Sequence, residues 1–203
     1  LRYPGYENTI LTPPPLVGQI PAPDGAPRGI TFDGQYLWVA NSGDGNSQYG
    51  SMIYKIDPTN GNVVASFSSP GGDGACGFAW DGQYLWHSNY MTNTIYKLNP
   101  ANGQVVSSFP SPGDFPFDLA WDGAYLYEVA GNTDIILKVD VSNGSAVDTI
   151  VCTYSSPNLR PFGLAYLPFE SGQIWTSDGG YGSNLVNEYD FATSSWIDQW
   201  AAN

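Results

Sequence analysis

Four tandem repeats of roughly 40 to 45 residues constrain the fold of this chain more than any other feature of its sequence. Their first halves are PRGITFDGQYLWVAN, GACGFAWDGQYLWHSN, FPFDLAWDGAYLYEVA and RPFGLAYLPFESGQIWTSD. The second halves include SMIYKIDPTNGNVVASF and NTIYKLNPANGQVVSSF. The Asn-Gly pairs that begin at Asn60, Asn102 and Asn143 are spaced 42 and 41 residues apart. Spacing this regular indicates one structural unit that recurs along the chain.

Each repeat reads as four short strands joined by turns. In the first repeat the predicted strands are Ile30 to Phe32, Tyr36 to Ala40, Met52 to Ile56 and Val63 to Phe67. Asp33–Gly34 and Asn60–Gly61 supply the positive φ angles of tight antiparallel hairpins. Two hairpins in series make a four-stranded antiparallel unit, which at this repeat length is the blade of a β-propeller. The aromatic residues of the strands are expected to pack between blades.

The sequence therefore predicts an all-β fold, a β-propeller of four four-stranded antiparallel blades with an extra N-terminal strand. The predicted repeats cover residues 27–69, 74–112, 115–157 and 160–203 of a propeller domain over residues 16–203. An extended Pro-rich segment over residues 1–15 precedes it.

The extra strand is predicted because LVGQIPAPDGAPRG, from Leu16, resembles VVSSFPSPGDFPFD, the last strand and exit loop of a repeat. This places an outer strand over residues 16–26, one more than four blades need. Three outcomes are open: a fifth strand on the final blade, a segment from Trp196 to Trp200 that is not a strand, or donation of the N-terminal strand to another molecule. Donation of this strand from each molecule to the next builds a filament if the ring does not close. The candidate residues for this self-association are Leu16, Val17, Gln19 and Ile20.

Charge and composition narrow the class of partner. The net charge is −13, and no basic cluster offsets it, so nucleic acid and anionic lipid are poor partners. No apolar run is long enough to insert into a membrane. Few Lys and Arg residues, with abundant Asn, Ser, Thr, Tyr and Trp, are typical of secreted proteins, which predicts an extracellular or cell-surface location.

Two cysteines, Cys76 and Cys152, are the only ones in the chain. They are too far apart for a zinc or CxxC motif. Either they form one disulfide in an oxidising compartment or they are two buried thiols. Asn143, Gly144 and Ser145 form a glycosylation sequon, which turn formation alone also explains.

Candidate ligand-binding residues come from the loops that a propeller gathers at one end of its channel. They are Asn41, Asp44, Asn46, Asn89, Glu128, Asp134 and Asp178. Oxygen ligands from several loops suit Ca²⁺, although solvated turn residues explain the same pattern. His87 is the only histidine, which excludes a histidine metal triad, and no Ser or Cys has the sequence context of a nucleophile.

The pattern GFAWDGQYLW followed by IYKLNPANGQVVSSFPSPG resembles the repeats of the NHL/YVTN-type superfamily of bacterial and archaeal β-propellers. The resemblance extends from Leu16 to Trp200. It implies the propeller fold, in a superfamily that includes surface-layer and adhesion modules, ligand-binding domains, lactonases and lyases. Most relatives carry more than four blades.

Three functions follow as hypotheses. The first is a non-catalytic extracellular structural or adhesive protein that self-associates, with another copy of itself as partner. The second is a propeller that binds glycans or calcium, and the third is a lactonase- or lyase-like enzyme based on His87 and Glu128.

Overall fold

The computed structural model describes residues 18–42, 50–152, 161–168, 172–178 and 185–201. These residues form sixteen strands in four antiparallel sheets of four, each sheet built from consecutive strands. The prediction of an all-β propeller with four four-stranded blades is confirmed.

The strands have the following bounds. Blade 1 contains β1 (Pro27–Phe32), β2 (Leu37–Asn41), β3 (Met52–Ile56) and β4 (Val63–Ser68). Blade 2 contains β5 (Ala75–Trp80), β6 (Leu85–Asn89), β7 (Thr94–Leu98) and β8 (Val105–Pro110). Blade 3 contains β9 (Pro116–Trp121), β10 (Leu126–Ala130), β11 (Ile135–Asp140) and β12 (Ser145–Val151). Blade 4 contains β13 (Pro161–Leu167), β14 (Gln173–Asp178), β15 (Leu185–Asp190) and β16 (Ser195–Ala201).

Of the three outcomes for the extra strand, the one in which Trp196 to Trp200 is not a strand is wrong, because this segment lies within β16. The fourth blade is complete with its own four strands.

The core lies between successive blades rather than within them. The first strand of each blade packs on the first strand of the next, β1 on β5, β5 on β9 and β9 on β13. Three apolar clusters fill these interfaces, and each contains one buried aromatic residue from the second strand of the earlier blade: Trp38, Trp86 or Tyr127. Because each blade covers its neighbour, stability depends on stacking, as in other repeat folds.

The turns differ in detail from the predicted hairpins. Gly34 has a φ of 95° in the β1–β2 turn, and the Asp33 carboxylate accepts the Gln35 and Tyr36 amides at 2.8 and 2.6 Å. The β3–β4 connection is longer than two residues: the Gly61 amide donates to the Asp57 carbonyl at 2.8 Å, and Gly61 has a φ of 76°. The Asn-Gly pairs therefore end a wider turn in which only the glycine needs the left-handed region.

An acid, a lysine and an aromatic residue interlock below the first turn of blades 1, 2 and 3. In blade 2 the Trp86 Nε1 donates to Asp81 at 2.9 Å, and Lys97 lies 3.5 Å from Asp81 and 4.9 Å from the centre of the Trp86 ring. The same contacts recur in the other two blades, with Tyr127 replacing tryptophan in blade 3. The sequence identified these acids as turn formers, and the structure adds their lysine partners.

Blade 4 departs from this arrangement. Trp175 keeps the aromatic position, but its partner across the strand pair is Glu188, where the earlier blades have lysine. The fourth repeat is also the most divergent in sequence.

The inner strands approach closely at one repeat position, occupied by Gly29, Gly77, Asp118 and Gly163. A Cβ on Gly77 would overlap the backbone of Asp118. The Asp118 carboxylate accepts the Leu119 amide at 2.9 Å and the Leu164 amide at 2.8 Å, and also bonds the Phe78 amide. One side chain thus ties together the inner strands of blades 2, 3 and 4.

Gly77→Ala is expected to lower the free energy of unfolding by about 1–3 kcal/mol, because the added methyl group meets backbone that has no room to move. Chemical denaturation measures the change. Gly25→Ala is the matched control, since a Cβ there meets nothing within 4 Å. Equal stability of the two variants would contradict the close approach of β5 and β9.

Candidate interaction site

The first blade exposes, along its first strand, a face that is buried in blades 2 and 3 and half-buried in blade 4. We call the side of a blade toward its predecessor the leading face, and the opposite side the trailing face. On the leading face of blade 1, Ile30 is 63% exposed, whereas Phe78 and Leu119, at the same repeat position in blades 2 and 3, are each 2% exposed. Phe32 on the same strand is 51% exposed. Two large apolar side chains therefore face solvent where the fold normally places another blade.

An apolar groove of about 250 Å³ follows this face. One wall comes from the strands of blade 1 through Ile30, Leu37, Val39 and Ile56. The other wall comes from the chain before β1, residues 20–23.

Residues 18–26 occupy the place where the outer strand of a preceding blade would end. The Ile20 side chain lies 3.1 Å from the position of a Cβ on Gly61. Phe67 packs on Gly103 in the same way, and so does Phe109 on Gly144. The sequence match between this segment and a fourth strand therefore reflects a shared position in space.

The extra strand itself is not formed in its described part. Residues 18–26 contain no strand, because strand pairing needs a hydrogen-bonded neighbour and the described residues place none there. Of the predicted self-association residues, Gln19 is exposed and Ile20 is 37% exposed. Leu16 and Val17 lie outside the described residues.

The last blade has a complementary open side. On its trailing face Ala165 and Ser177 are exposed and Val186 is half-buried. The corresponding residues of blade 3, Ala120, Val129 and Ile136, are all buried. Among the described residues, the leading face of blade 1 is therefore exposed along β1, and the trailing face of blade 4 is exposed at Ala165 and Ser177.

The Asn89 side chain, a predicted ligand-binding group, is fully used within the fold. Its Nδ2 donates to three carbonyls of the preceding loop, at 3.1 to 3.3 Å, and its Oδ1 accepts the amides of Met91 and Thr92. These bonds use both amide hydrogens and both oxygen lone pairs of the Asn89 side chain, so none remains for a ligand. Asn41, at the equivalent position of blade 1, is buried as well.

The remaining ligand candidates are dispersed. Asp134 is exposed at the end of the β10–β11 turn, directly before β11, and Asp178 ends β14. Asp44 and Asn46 lie outside the described residues. Among the residues that the structure describes, no three His, Cys, Asp or Glu side chains are grouped so that they could hold a metal ion.

His87 and Glu128, the candidates for catalysis, occupy the same repeat position in two different blades. Each is completely buried and bonded to a serine from the preceding loop: His87 Nε2 lies 2.9 Å from Ser69 Oγ, and Glu128 accepts a short hydrogen bond from Ser111. In blade 1 the same two positions are the apolar Ala22 and Val39, which line the groove. These polar pairs therefore replace an apolar contact between blades.

Burial changes the ionisation of both groups. Loss of hydration lowers the pKa of His87 to about 4, although the hydrogen bond from its Nδ1 to the Gly77 carbonyl raises it, so the ring is neutral at pH 7. Loss of hydration also raises the pKa of Glu128 to about 7, although the hydrogen bonds with Ser111 and Gly113 lower it. A buried and neutral histidine without access to solvent is a packing residue.

Asp118 is the residue that sequence reasoning missed. Burial raises its pKa to about 7, although three backbone amides lower it. The signal was present, since Asp118 replaces the glycine of the other three repeats. Its hydrogen bonds assign it to joining inner strands.

Cys76 and Cys152 are buried at 3% and 4% exposure, and they are not bonded to each other. Both side chains are buried thiols in the structure, and a disulfide in an oxidising compartment stays a prediction. Burial raises the pKa of Cys76 to about 12 and keeps it protonated.

No helix long and apolar enough to cross a membrane is found in the described residues.

Comparison with known proteins identifies the fold. No protein-family model and no curated protein sequence matches this chain. Similar solved structures include hydrazine synthase of Kuenenia stuttgartiensis, with 17% identity and a TM-score of 0.61 over 92% of this chain and 52% of that one. The WD40 repeats of RRP9 are similar with 18% identity and a TM-score of 0.59, over 85% of this chain and 50% of that one. Virginiamycin B lyase from Staphylococcus aureus is similar with 20% identity and a TM-score of 0.56, over 91% of this chain and 58% of that one.

This chain therefore spans between half and three fifths of the structures that it resembles. At identities this low the likeness shows the fold alone. By its repeats, its sheets and these relatives, the chain is a β-propeller with four blades.

Proposed function

We propose that this chain is a non-catalytic structural propeller that self-associates outside the cell through its open blade faces. The observation that carries the proposal is the exposure of Ile30 and Phe32 at positions that later blades bury or half-bury. Exposed apolar area of this kind, framed by a preformed groove, is typical of a surface that binds another protein. The low content of Lys and Arg supports an extracellular location, and the repeat pattern supports an NHL/YVTN-type relationship.

The enzymatic alternative has less support from the site. His87 and Glu128 are both inaccessible to solvent, and each is bonded within its own blade interface. A general base must reach the proton that it abstracts, and neither group can do so without opening the interface.

The test is the oligomeric state of the purified chain, measured by sedimentation over a wide concentration range. Association that increases with concentration is expected, and Ile30→Asp is expected to abolish it because a charge would be buried in an apolar contact. Ile30 is exposed, so this variant keeps the fold. Val106→Asp is the control, at a 51% exposed valine on the outer strand of blade 2.

Two results would contradict the proposal. One is a monomer at every concentration. The other is equal loss of association in Ile30→Asp and Val106→Asp, which would place the contact on the outer edges instead of the leading face.

A further inference from the structure

We propose that the cavity among the four inner strands binds one neutral sugar ring or a short polyol. The cavity has a volume of about 260 Å³ and lies along the inner edges of the blades, so a ligand there does not depend on the proposed self-association. Each inner strand contributes three consecutive residues to its lining: 30–32, 78–80, 119–121 and 164–166.

One edge of each inner strand has no partner strand among the described residues. The strands β1, β5, β9 and β13 each stand at the end of a four-stranded sheet and pair with the second strand of their own blade. Successive residues of an antiparallel strand alternate between the paired edge and the opposite edge. The Asp81 amide donates to the Tyr84 carbonyl at 3.2 Å, so Phe78 and Trp80 direct their N–H and C=O groups away from β6 and toward the cavity.

The same register recurs in the other three blades. Asp33 and Asp122 repeat the bond of Asp81, at 3.1 and 3.2 Å, which gives β1 and β9 the same inward groups. In β13 the Leu164 amide is directed inward, because it donates to Asp118. The inward backbone groups belong to two lining residues of each strand: Ile30 and Phe32, Phe78 and Trp80, Leu119 and Trp121, Leu164 and Tyr166.

Asp118 closes one end of this arrangement. Its carboxylate accepts the amides of Phe78, Leu119 and Leu164, which are the first inward amides of three strands. Among the described residues, no backbone hydrogen bond links one inner strand to the next, so the inward amides and carbonyls beyond Asp118 are directed at the cavity. Backbone groups in such a place need hydrogen-bond partners.

The pattern of these groups selects the class of ligand. Each inward residue presents a donor and an acceptor side by side, and a hydroxyl group both donates and accepts. A metal ion would use only the carbonyls, and an anion only the amides. The side chains that line the cavity are all uncharged, so none of them neutralises a charged ligand. A neutral molecule with several hydroxyl groups satisfies both kinds of backbone group.

Size and aromatic lining favour a single sugar ring. Pockets for drug-sized ligands have volumes of about 300–1,000 Å³, and this cavity is slightly smaller. One repeat position supplies an aromatic residue to the cavity from every blade: Phe32, Trp80, Trp121 and Tyr166. The apolar C–H groups on the face of a sugar ring pack well against aromatic side chains.

The site lies at the opposite end of the blades from the predicted ligand loops. Phe32, Trp80 and Trp121 end the first strands of their blades, whereas Asn41 and Asn89 end the second strands, which run in the other direction. Of the predicted ligand-binding residues that the structure describes, none lines this cavity.

Amide chemical shifts of the isotope-labelled chain, measured by NMR, test the site. Titration with at least one of D-glucose, D-galactose, D-mannose and glycerol is expected to shift the amides of Phe32, Trp80, Trp121 and Tyr166. Potassium chloride and sodium phosphate are expected to leave these four amides unchanged. The amide of Met91, in the β6–β7 turn at the other end of blade 2, serves as the internal control.

Phe32→Ala is the matched variant, because Phe32 is 51% exposed and its ring is not needed for the fold. The dissociation constant of the sugar is expected to rise about threefold to tenfold through loss of one aromatic contact. Met91→Ala, at a residue that is 65% exposed, is expected to bind as the native chain does.

Shifts confined to the cavity amides, with weaker binding in Phe32→Ala, support the site whether or not the chain self-associates. Three results would overturn it: no shift with any of the four compounds, shifts with the two salts in place of the sugars, or equal affinity in Phe32→Ala and Met91→Ala.

Discussion

Trp86→Ala is expected to lower the free energy of unfolding by about 3–5 kcal/mol. The side chain is completely buried between blades 2 and 3, where it packs on Phe109 at a ring distance of 6.0 Å. Its loss leaves a cavity, removes the Nε1 hydrogen bond to Asp81 and takes away one of the rings below Lys97. Denaturation in urea, followed by circular dichroism, measures the change.

The repeats provide the matched control, because blade 3 has Tyr127 at this position. The Tyr127 hydroxyl donates to Asp122 at 3.1 Å, and Lys138 lies 3.5 Å from the same carboxylate. Trp86→Tyr is therefore expected to retain more than half of the stability that Trp86→Ala loses. If the tyrosine variant is as unstable as the alanine variant, the interlocked acid, lysine and aromatic residue are not a transferable unit.

Glu128→Gln is expected to increase stability above pH 7 and to flatten its dependence on pH. Burial raises the pKa of Glu128 from 4.5 to about 7 in the folded state, so the folded protein holds this proton to higher pH than the unfolded chain does. The free energy of unfolding therefore falls as pH rises from 4.5 to about 7. At about 1.4 kcal/mol for each pKa unit, the effect at pH 8 is at most about 3 kcal/mol.

Glutamine keeps the size of the side chain and an acceptor for Ser111 but cannot ionise. The measurement is urea denaturation at pH 5 and pH 8 for the native chain and the variant. Asp134→Asn, at an exposed acid of the same blade, serves as control and should leave the native curve unchanged. Parallel curves for the native chain and Glu128→Gln would contradict the burial of a titrating carboxyl group.

Two other buried groups contribute to the native curve. Asp118, with its pKa raised to about 7, acts in the same direction as Glu128. His87 acts in the opposite direction, since its pKa is lowered to about 4 and its contribution is lost as pH falls from 6.5 toward 4. The comparison of native chain and variant at each pH isolates Glu128.

The sequence alone determined the blades of this protein. Strand order and antiparallel pairing follow from contacts between residues that are near one another in the chain, and they recur in all four repeats. The Asp-Gly turn that begins at Asp33 recurs in three of them. It also aligned Ile20 with Phe67 and Phe109 of the outer strands, and in the structure these three side chains pack on equivalent glycines. Strands and turns that depend on nearby residues, and that recur at a fixed spacing, can therefore be predicted without a structure.

Only the tertiary structure decided which residues are available for function. His87, Glu128 and Asn89 are polar loop or strand residues in the sequence, and packing of one blade on the next buried all three. The same packing left Ile30 exposed although its equivalents in blades 2 and 3, Phe78 and Leu119, are buried. Exposure depends on whether a neighbouring blade is present, which is a property of the stacked array and not of any single repeat.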